Sequence, residues 1–251
     1  MPRRVRLDTL VVERGFAKTR ARARALVLAG QVRVDDVVRS KSGELVLADA
    51  EIVLVERDHP YVGRGGIKLA HAFDVFNIPA RDRVVLDIGA STGGFTDAAL
   101  QRGAARVAAL DVGHGQLAWT LRQDTRVTVL ERINARWLKL DQLPAAFRCV
   151  DLVTIDVSFI SLKLILRVVP PVLDNDGDVV ALVKPQFEAG RAEIRKRGLV
   201  TDPAVHTRVV EEVTAAANKV GLNRVAVTPS PIAGAEGNKE FLLHLRHAPY
   251  C

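Results

Sequence analysis

The sequence predicts an α/β fold, in which helices cover both faces of a mostly parallel sheet, preceded by a small α+β domain. From residue 66 onward, short and fully apolar runs alternate with segments of helical character, as in sheets buried on both faces. The residues before 56 instead show two helical patterns and then an alternation with period two. Pro60 and nearby glycines interrupt both patterns between these parts. We therefore divide the chain into an N-terminal domain (1–56), a linker (57–65) and a large domain (66–251).

The net charge of the chain is concentrated in the N-terminal domain. Residues 1–41 contain 11 Lys or Arg and 4 Asp or Glu, whereas residues 42–251 contain 25 of each. A local excess of positive charge suits a polyanion such as RNA or DNA, although solvated faces without a partner also carry such charge. The candidate RNA-binding residues are Arg3, Arg4, Arg6, Lys18, Arg20, Arg22 and Arg24.

The composition argues against a secreted or membrane-spanning protein. Cys149 and Cys251 are too few for a disulfide scaffold, and no apolar run approaches the ~20 residues that cross a bilayer. The first residues contain no apolar stretch like that of a secretory signal. We therefore expect a cytoplasmic protein without stable membrane association.

Two helices are predicted at the start of the N-terminal domain. The first has apolar residues at helical spacing and is ended by Gly15. The second runs from about Arg20 to Ala29, with Thr19 as its cap and Gly30 after its end. Its apolar side is predicted to contain Ala21, Ala25 and Leu28. Beyond it, Val32, Val34 and Val37 flank Asp35-Asp36, which predicts small strands around a turn, and residues 52–55 predict another strand.

The sharpest motif of the large domain is a glycine-rich turn between a strand and a helix. The apolar run 84–88 is followed by Gly89, Gly93 and Gly94, and then by a helical pattern over 94–103. Such glycines let the backbone approach a ligand closely and expose amides at the helix start. The spacing is G-x-x-x-G-G rather than the dinucleotide G-x-G-x-x-G. Asp87 at the end of the strand is predicted to bind the ammonium and hydroxyl groups of an amino-acid-bearing ligand.

Two further polar residues follow the next strands. Asp111 ends the second strand (105–111), where an acid of this fold class accepts hydrogen bonds from ribose hydroxyls. Asn134 follows the third strand (127–130), where a polar side chain could meet an adenine. The combination favours S-adenosylmethionine over a nicotinamide cofactor, and no metal site is predicted. The predicted cofactor-binding residues are Asp87, Gly89, Ser91, Thr92, Gly93, Gly94, Phe95, Asp111 and Asn134.

The fourth strand (152–156) limits the kind of methyl acceptor. It ends without the Asn/Asp-Pro-Pro-aromatic motif typical of amino-group methylation, and neither cysteine is placed for attack on cytosine C5. What remains is a set of charged residues at strand ends: Lys68, Asp156, Lys184 and Glu240. A ribose hydroxyl must lose its proton as it attacks, and a lysine near a second ammonium can accept that proton or steer the hydroxyl. We therefore predict these four as catalytic residues, with Lys184 in the central role.

Further helices are predicted over 162–172 and 207–220, and the fifth strand over 178–183. Together with the four strands above, they complete the alternation of strand and helix that a parallel sheet requires. A last apolar strand is predicted directly after Glu240.

The N-terminal domain resembles the RNA-binding module named after ribosomal protein S-four. The resemblance rests on Arg6-Leu7-Asp8, the basic Thr-Arg-x-Arg helix and the Gly-x-Val-x-Val exit at 30–34. It implies binding to structured RNA.

The Lys-Asp-Lys-Glu order resembles the tetrad of the FtsJ/RrmJ-type ribose 2′-O-methyltransferases, and the whole chain resembles the TlyA family. The segments 64–69, 87–97, 112–119, 156–161 and 184–190 carry this resemblance. It implies a Rossmann-like class I methyltransferase sheet and S-adenosylmethionine-dependent methylation of cytidine 2′-hydroxyls in 16S and/or 23S ribosomal RNA, with ribosomal RNA or ribosomal subunits as partners. The chain departs from the family at Gly63 and at His114. It also departs at positions 197–198, where it has Arg-Gly and the family usually has Gly-Gly.

Other functions remain open from the sequence. Members of the family are also named haemolysins, which suggests a membrane-active protein, but no strongly amphipathic or spanning segment supports that function. A non-catalytic RNA-binding or ribosome-assembly factor with the same fold is the third hypothesis. A nicotinamide-dependent oxidoreductase is less favoured because the glycine spacing does not fit it.

Overall fold

The computed structural model describes residues 3–28, 30–39, 41–55 and 59–247. The predicted helix end at Ala29, the predicted boundary at residues 56–57 and Cys251 lie outside these ranges. The N-terminal domain contains a two-stranded sheet, a three-stranded sheet and two helices. Its elements are β1 (Arg4–Arg6), α1 (Leu7–Glu13), α2 (Arg20–Leu28), β2 (Val32–Val34), β3 (Val37–Val38), β4 (Leu45–Leu47) and β5 (Ile52–Leu54).

Both predicted helices form, but the predicted apolar side of α2 is wrong. Ala21 is exposed and Leu28 is only partly buried. The buried residues are Ala23, Leu26 and Val27, which have the i, i+3, i+4 spacing of one helix face and pack with α1 in the core of the domain. Leu28 instead contributes to a cavity that it shares with the large domain.

The predicted turn at Asp35-Asp36 joins β2 to β3 as an antiparallel hairpin. Both aspartates have positive φ, 46° and 64°, as the two central residues of a type I′ turn require. β5 pairs with the other edge of β2, and β1 pairs with β4 in a separate ribbon that the sequence did not predict. The ribbon places Arg4 and Arg6 on an exposed strand.

The elements of the large domain are α3 (Gly65–Phe76), β6 (Val84–Ile88), α4 (Gly94–Gln101), β7 (Arg106–Asp111), α5 (Trp119–Arg122), β8 (Val127–Glu131), β9 (Val150–Ile155), α6 (Leu162–Ile165), β10 (Leu173–Val183), α7 (Pro203–Asn218), β11 (Leu222–Pro229) and β12 (Phe241–His247). The seven strands lie in the order β11-β12-β10-β9-β6-β7-β8. All neighbours are parallel except β12, which is antiparallel to β10 and β11. The predicted α/β fold is therefore confirmed. β6 lies between β7 and β9, so the order of the strands reverses at β6. Ligands of open α/β sheets bind at the carboxyl ends of the strands at such a position.

Three elements differ by four residues or more from their predicted bounds. The helix predicted over 162–172 is only α6 followed by a short 3₁₀ turn, because Pro170-Pro171 cannot continue a helix. α7 begins at Pro203 rather than at residue 207, because Asp202 caps it by accepting from the amide of Ala204. β10 begins at Leu173 rather than at residue 178.

The described part of the predicted linker, residues 59–64, contains no helix or strand and contacts α4. The amide of Val62 donates to Asp97 Oδ2 at 2.7 Å, and Gln101 Nε2 donates to the carbonyl of Pro60. α3 was not predicted, and it begins at Gly65, inside the predicted linker. Its first turn carries Lys68 toward the ends of the strands.

A buried carboxylate ties β10 to β12 at the end of the sheet away from the glycine loop. Asp178 is fully buried, and its two oxygens contact Arg83 Nη1 at 2.5 Å, Arg246 Nε at 2.6 Å and His244 Nε2 at 2.7 Å. Burial alone would raise the pKa of Asp178, but these donors outweigh burial and hold it well below its ordinary value.

We expect D178N to lower the free energy of unfolding by about 2 kcal/mol, because the amide cannot accept from all these donors. A carboxyl with a depressed pKa in the folded state stabilises the fold above its unfolded pKa, near ~4, and this stability is lost as the pH falls. Urea unfolding between pH 7 and pH 3 should therefore show a shallower acid-side loss of stability in D178N than in the wild type. Equal slopes for the two proteins would contradict this role.

Candidate active site

The loop after β6 packs closely against the loop after β9. Gly89 and Gly93 have φ of 89° and 96°, which glycine adopts without strain. A Cβ on Gly89 would lie 2.5 Å from the carbonyl oxygen of Asp156, and one on Gly93 would collide with the side chain of Leu121. The glycines therefore let the β6 loop lie against the backbone of Asp156.

Asp87 supports this loop from inside the protein. It is fully buried, and its carboxylate accepts from Thr96 Oγ1 at 2.6 Å and from Thr154 Oγ1 at 2.9 Å. Burial raises the pKa of Asp87 to about 7, against the opposing effect of the two hydroxyl groups. Both oxygens thus accept from α4 and β9, and Asp87 lines neither of the cavities described below, so its contact with an ammonium group stays a prediction.

A groove of about 600 Å³ runs along the carboxyl ends of β6 to β9. Asp111 shapes it by accepting from the amide of Ser91 at 2.8 Å and from that of Gly113 at 2.6 Å. The predicted cofactor-binding residues that line the groove are Gly89, Ser91, Asp111 and Asn134. Thr92, Gly94 and Phe95 line an adjoining cavity together with Lys68 and Asp156. Asp87 and Gly93 line neither.

Lys184 and Asp156 form an ion pair where β9 and β10 end. Lys184 Nζ lies 2.5 Å from Asp156 Oδ1 and donates to Ser158 Oγ at 3.0 Å. Only 11% of the Lys184 side chain is exposed. An ammonium has three N–H donors, so one donor of Lys184 remains for a group in the cavity.

Lys68 and Glu240 form a second pair, more deeply buried than the first. Lys68 Nζ donates to Glu240 Oε2 at 2.5 Å, although 172 residues separate them in the chain. The two side chains are 10% and 2% exposed. Burial alone would raise the pKa of Asp156, but the charges of Lys184 and Lys68 outweigh it, and the pKa is below its ordinary value. The structure thus brings the four predicted catalytic residues together as two lysines and two carboxylates.

Three residues that contribute to the site were not singled out from the sequence. Ser158 orients Lys184 by accepting from its ammonium group. Phe159 lies at the cavity mouth, is 92% exposed and has a φ of 65°. Its ring centroid is 5.2 Å from that of Phe187. Glu188 joins the two catalytic loops, because it follows Lys184 and accepts from Ser161 Oγ at 2.7 Å and from the amide of Leu162 at 2.5 Å. Burial raises the pKa of Glu188 despite these donors. In the sequence, only the segments 156–161 and 184–190 could have indicated these residues.

The predicted RNA-binding residues all lie on the surface of the N-terminal domain. Asp8, only 4% exposed, pairs with Arg6 at 2.7 Å and with Arg20 at 3.2 Å. The hydrogen bond from Arg6 lowers the pKa of Asp8 to about 2. Asp8 therefore fixes the direction of two guanidinium groups on this face.

An interdomain cleft of about 770 Å³ lies between the N-terminal domain and the predicted catalytic residues. Arg24, Leu28, Arg39 and Lys41 line its N-terminal wall, and Lys68, Ser158, Phe159, Lys184, Arg197 and Glu240 line its opposite wall. Among the described residues, the ion pair of Lys41 Nζ with Glu236 Oε1, at 2.7 Å, joins the two walls. Arg64 at the start of α3 donates from Nη2 to the carbonyl of Ala233 at 2.9 Å, a contact within the large domain. The N-terminal domain thus forms part of the site.

Within the described ranges, no group of three or more His, Cys, Asp or Glu residues could hold a metal ion. None of the helices found in these ranges is long and apolar enough to cross a membrane.

Comparison with known proteins finds two family models that match this chain. A model of FtsJ-like methyltransferases matches residues 61–247, and a model of the S4 domain matches residues 5–52. The 16S/23S rRNA (cytidine-2′-O)-methyltransferase TlyA of Mycobacterium tuberculosis is 44% identical over 247 residues, which cover 98% of this chain and 91% of that protein. Hemolysin A of Brachyspira hyodysenteriae is 39% identical, over 96% of this chain and 99% of that protein.

A solved structure from Streptococcus thermophilus, provisionally named a hemolysin, has the same architecture. It is 44% identical and superposes with a TM-score of 0.76 over 99% of this chain and 90% of that chain. Both the N-terminal domain and the large domain therefore recur together in a relative of known structure.

Proposed function

Since this chain belongs to the FtsJ-like methyltransferases and carries an S4 domain at its N-terminus, we propose that it methylates cytidine 2′-hydroxyls of 16S and/or 23S ribosomal RNA with S-adenosylmethionine. The observation that carries the proposal is the buried Lys184–Asp156 pair beside the glycine loop, with Lys68–Glu240 behind it. Its place of action is the cytoplasm, where ribosomal RNA or a ribosomal subunit is the partner.

The groove along β6 to β9 fits S-adenosylmethionine. Its volume suits a nucleoside ligand, and Asp111 and Asn134 offer an acceptor and an amide at its far end. Ser91, Thr92 and Gly94 would hold the amino-acid portion near the start of α4, whose amides favour a carboxylate. When bound, the cofactor supplies an electrophilic methyl group.

The tetrad prepares the ribose hydroxyl. Lys184 steers the 2′-oxygen. As an uncharged amine, after giving a proton to water, it accepts the hydroxyl proton at Nζ. Asp156 Oδ1 stabilises the ammonium that forms, and Ser158 keeps Nζ from rotating away. Lys68 and Glu240 keep the local charge balanced beside Asp156. Phe159 and Phe187 offer aromatic faces on which a base can stack.

Mapping of ribose methylation tests this proposal. Unmodified ribosomal subunits and protein-free ribosomal RNA would be incubated with the full chain and S-adenosylmethionine, and the nucleosides analysed by mass spectrometry. We expect 2′-O-methylcytidine in RNA from at least one subunit. Base methylation would contradict the proposal, and RNA binding without methyl transfer would favour a non-catalytic ribosome factor.

The basic face of the N-terminal domain is expected to supply phosphate contacts. Lys18 and Arg22 are exposed and, among the described residues, have no carboxylate within ion-pair distance. Neutralising both, as K18Q/R22Q, should weaken RNA binding and reduce the slope of log K against log salt by about 1.4–1.8. Filter binding at a series of salt concentrations measures the slope, and an unchanged slope would show that the face is only solvated surface.

A further inference from the structure

The turn at residues 195–199 is held rigidly next to the catalytic residues. Arg195 and Leu199 pair as an isolated bridge, and the amide of Gly198 donates to the carbonyl of Arg195 at 3.1 Å. Asn238, only 2% exposed, donates from Nδ2 to the carbonyl of Gly198 and accepts from the amide of Val200. Asn238 lies two residues before Glu240, so the tip of this turn is fixed relative to the tetrad.

Arg197 occupies the tip in a conformation that folding alone does not favour. Its φ of 66° and ψ of 14° lie in the left-handed region, where glycine has no Cβ penalty and an arginine is strained by ~1 kcal/mol. Hydrogen bonds of the neighbouring backbone hold the turn, but among the described residues no ion pair or hydrogen bond of the Arg197 side chain offsets the strain, because that side chain is exposed and lines the interdomain cleft. Strain of this kind at a cleft indicates a functional constraint on the residue.

The charges of the cleft single out the same residue. Four of its cations are neutralised: Arg39 by Glu44 at 3.0 Å and Lys41 by Glu236, as well as the two lysines of the tetrad. Among the described residues, no carboxylate lies within ion-pair distance of the other two, Arg24 and Arg197. One of these stands on each wall of the cleft.

We propose that Arg197 binds a backbone phosphate of the RNA strand that carries the target ribose, opposite Arg24 of the N-terminal domain. The inference rests on the proposed function and adds to it a phosphate contact made by the large domain. A guanidinium binds phosphate through two parallel N–H donors, and two such groups across the cleft would hold the strand on both sides of the methylated nucleotide.

The variant R197G separates this role from a structural one. Glycine relieves the backbone strain, so the melting temperature of the full chain should stay equal or rise. Affinity for ribosomal RNA should fall about fivefold to tenfold at low salt, and the salt slope should decrease by about 0.7–0.9, as expected for one lost phosphate contact. R197N, which also tolerates a positive φ, should behave like R197G. R106A removes the same charge from the exposed amino end of β7, the end of the strand opposite to Asp111, and should change neither quantity.

Two outcomes would overturn the inference: an unchanged salt slope in R197G, or equal losses in R197G and R106A. Methyl transfer by the wild type is measured in the same series. A wild type that methylates ribose while R197G retains full RNA affinity refutes only the Arg197 contact, whereas a wild type without methyl transfer refutes the proposed function.

Discussion

Replacing Lys184 with alanine is expected to reduce methyl transfer by about 100-fold to 10,000-fold, the range for a lost acid-base group. The ammonium is the group that Asp156 and Ser158 orient toward the cavity, and no other described lysine contacts both of them. Affinity for S-adenosylmethionine should change much less than methyl transfer, because Lys184 lines the adjoining cavity but not the groove along β6 to β9 that would hold the nucleoside. Single-turnover methylation and cofactor titration measure the two effects separately.

The matched control is K219A, which removes an exposed lysine at the end of α7. It should retain wild-type rates. K184A with more than a tenth of wild-type activity would exclude Lys184 as the group that handles the hydroxyl proton, and the base would then have to be sought elsewhere in the cleft.

The variant E240A is expected to cost about 3–5 kcal/mol of unfolding free energy, because it leaves the buried ammonium of Lys68 without its partner. Methyl transfer should also be lost, since Lys68 contributes to the charge around Asp156. Urea denaturation measures the first effect and methylation at a temperature where the variant is folded measures the second.

A double variant distinguishes stability from catalysis at this pair. K68M/E240L replaces both charges with apolar side chains. It should recover most of the stability, because replacing a buried ion pair with apolar side chains of similar volume is often neutral or stabilising. Its activity should stay low. Recovery of both stability and methyl transfer would show that the pair is only structural.

Sequence patterns were sufficient for features that depend on local chemistry. The glycines at 89 and 93 and the cap at Thr19 act within a few residues of their own positions. Thr19 Oγ1, for example, accepts from the amide of Arg22, as its place before a helix predicts. The positions of Asp156 and Lys184 after β9 and β10 followed from the rule that parallel strands end at one edge. Lys68 instead lies on α3, and Glu240 precedes the antiparallel strand β12.

Features that depend on long-range packing could not be predicted in this way. Asp87 looks like a ligand-binding acid at the end of a strand, but Thr154 on the neighbouring strand and Thr96 engage it. The buried face of α2 depends on where α1 and the large domain lie, so counting helical spacing from Ala21 chose the wrong face. The contact between Lys68 and Glu240 joins residues far apart in the chain, and no local pattern contains it.

Because the two domains share one cleft, the protein selects its RNA by a distance between two parts of the folded molecule. The Lys41–Glu236 ion pair joins the N-terminal domain to the large domain and so limits the distance between the basic face and the cavity that holds Lys184. An RNA folded so that its helix meets the N-terminal domain can be modified only where a nucleotide reaches Lys184 across that fixed span. Two RNAs of unrelated sequence would therefore serve equally well if their folded shapes share this one distance, and a cytidine in the right sequence but at another distance would not.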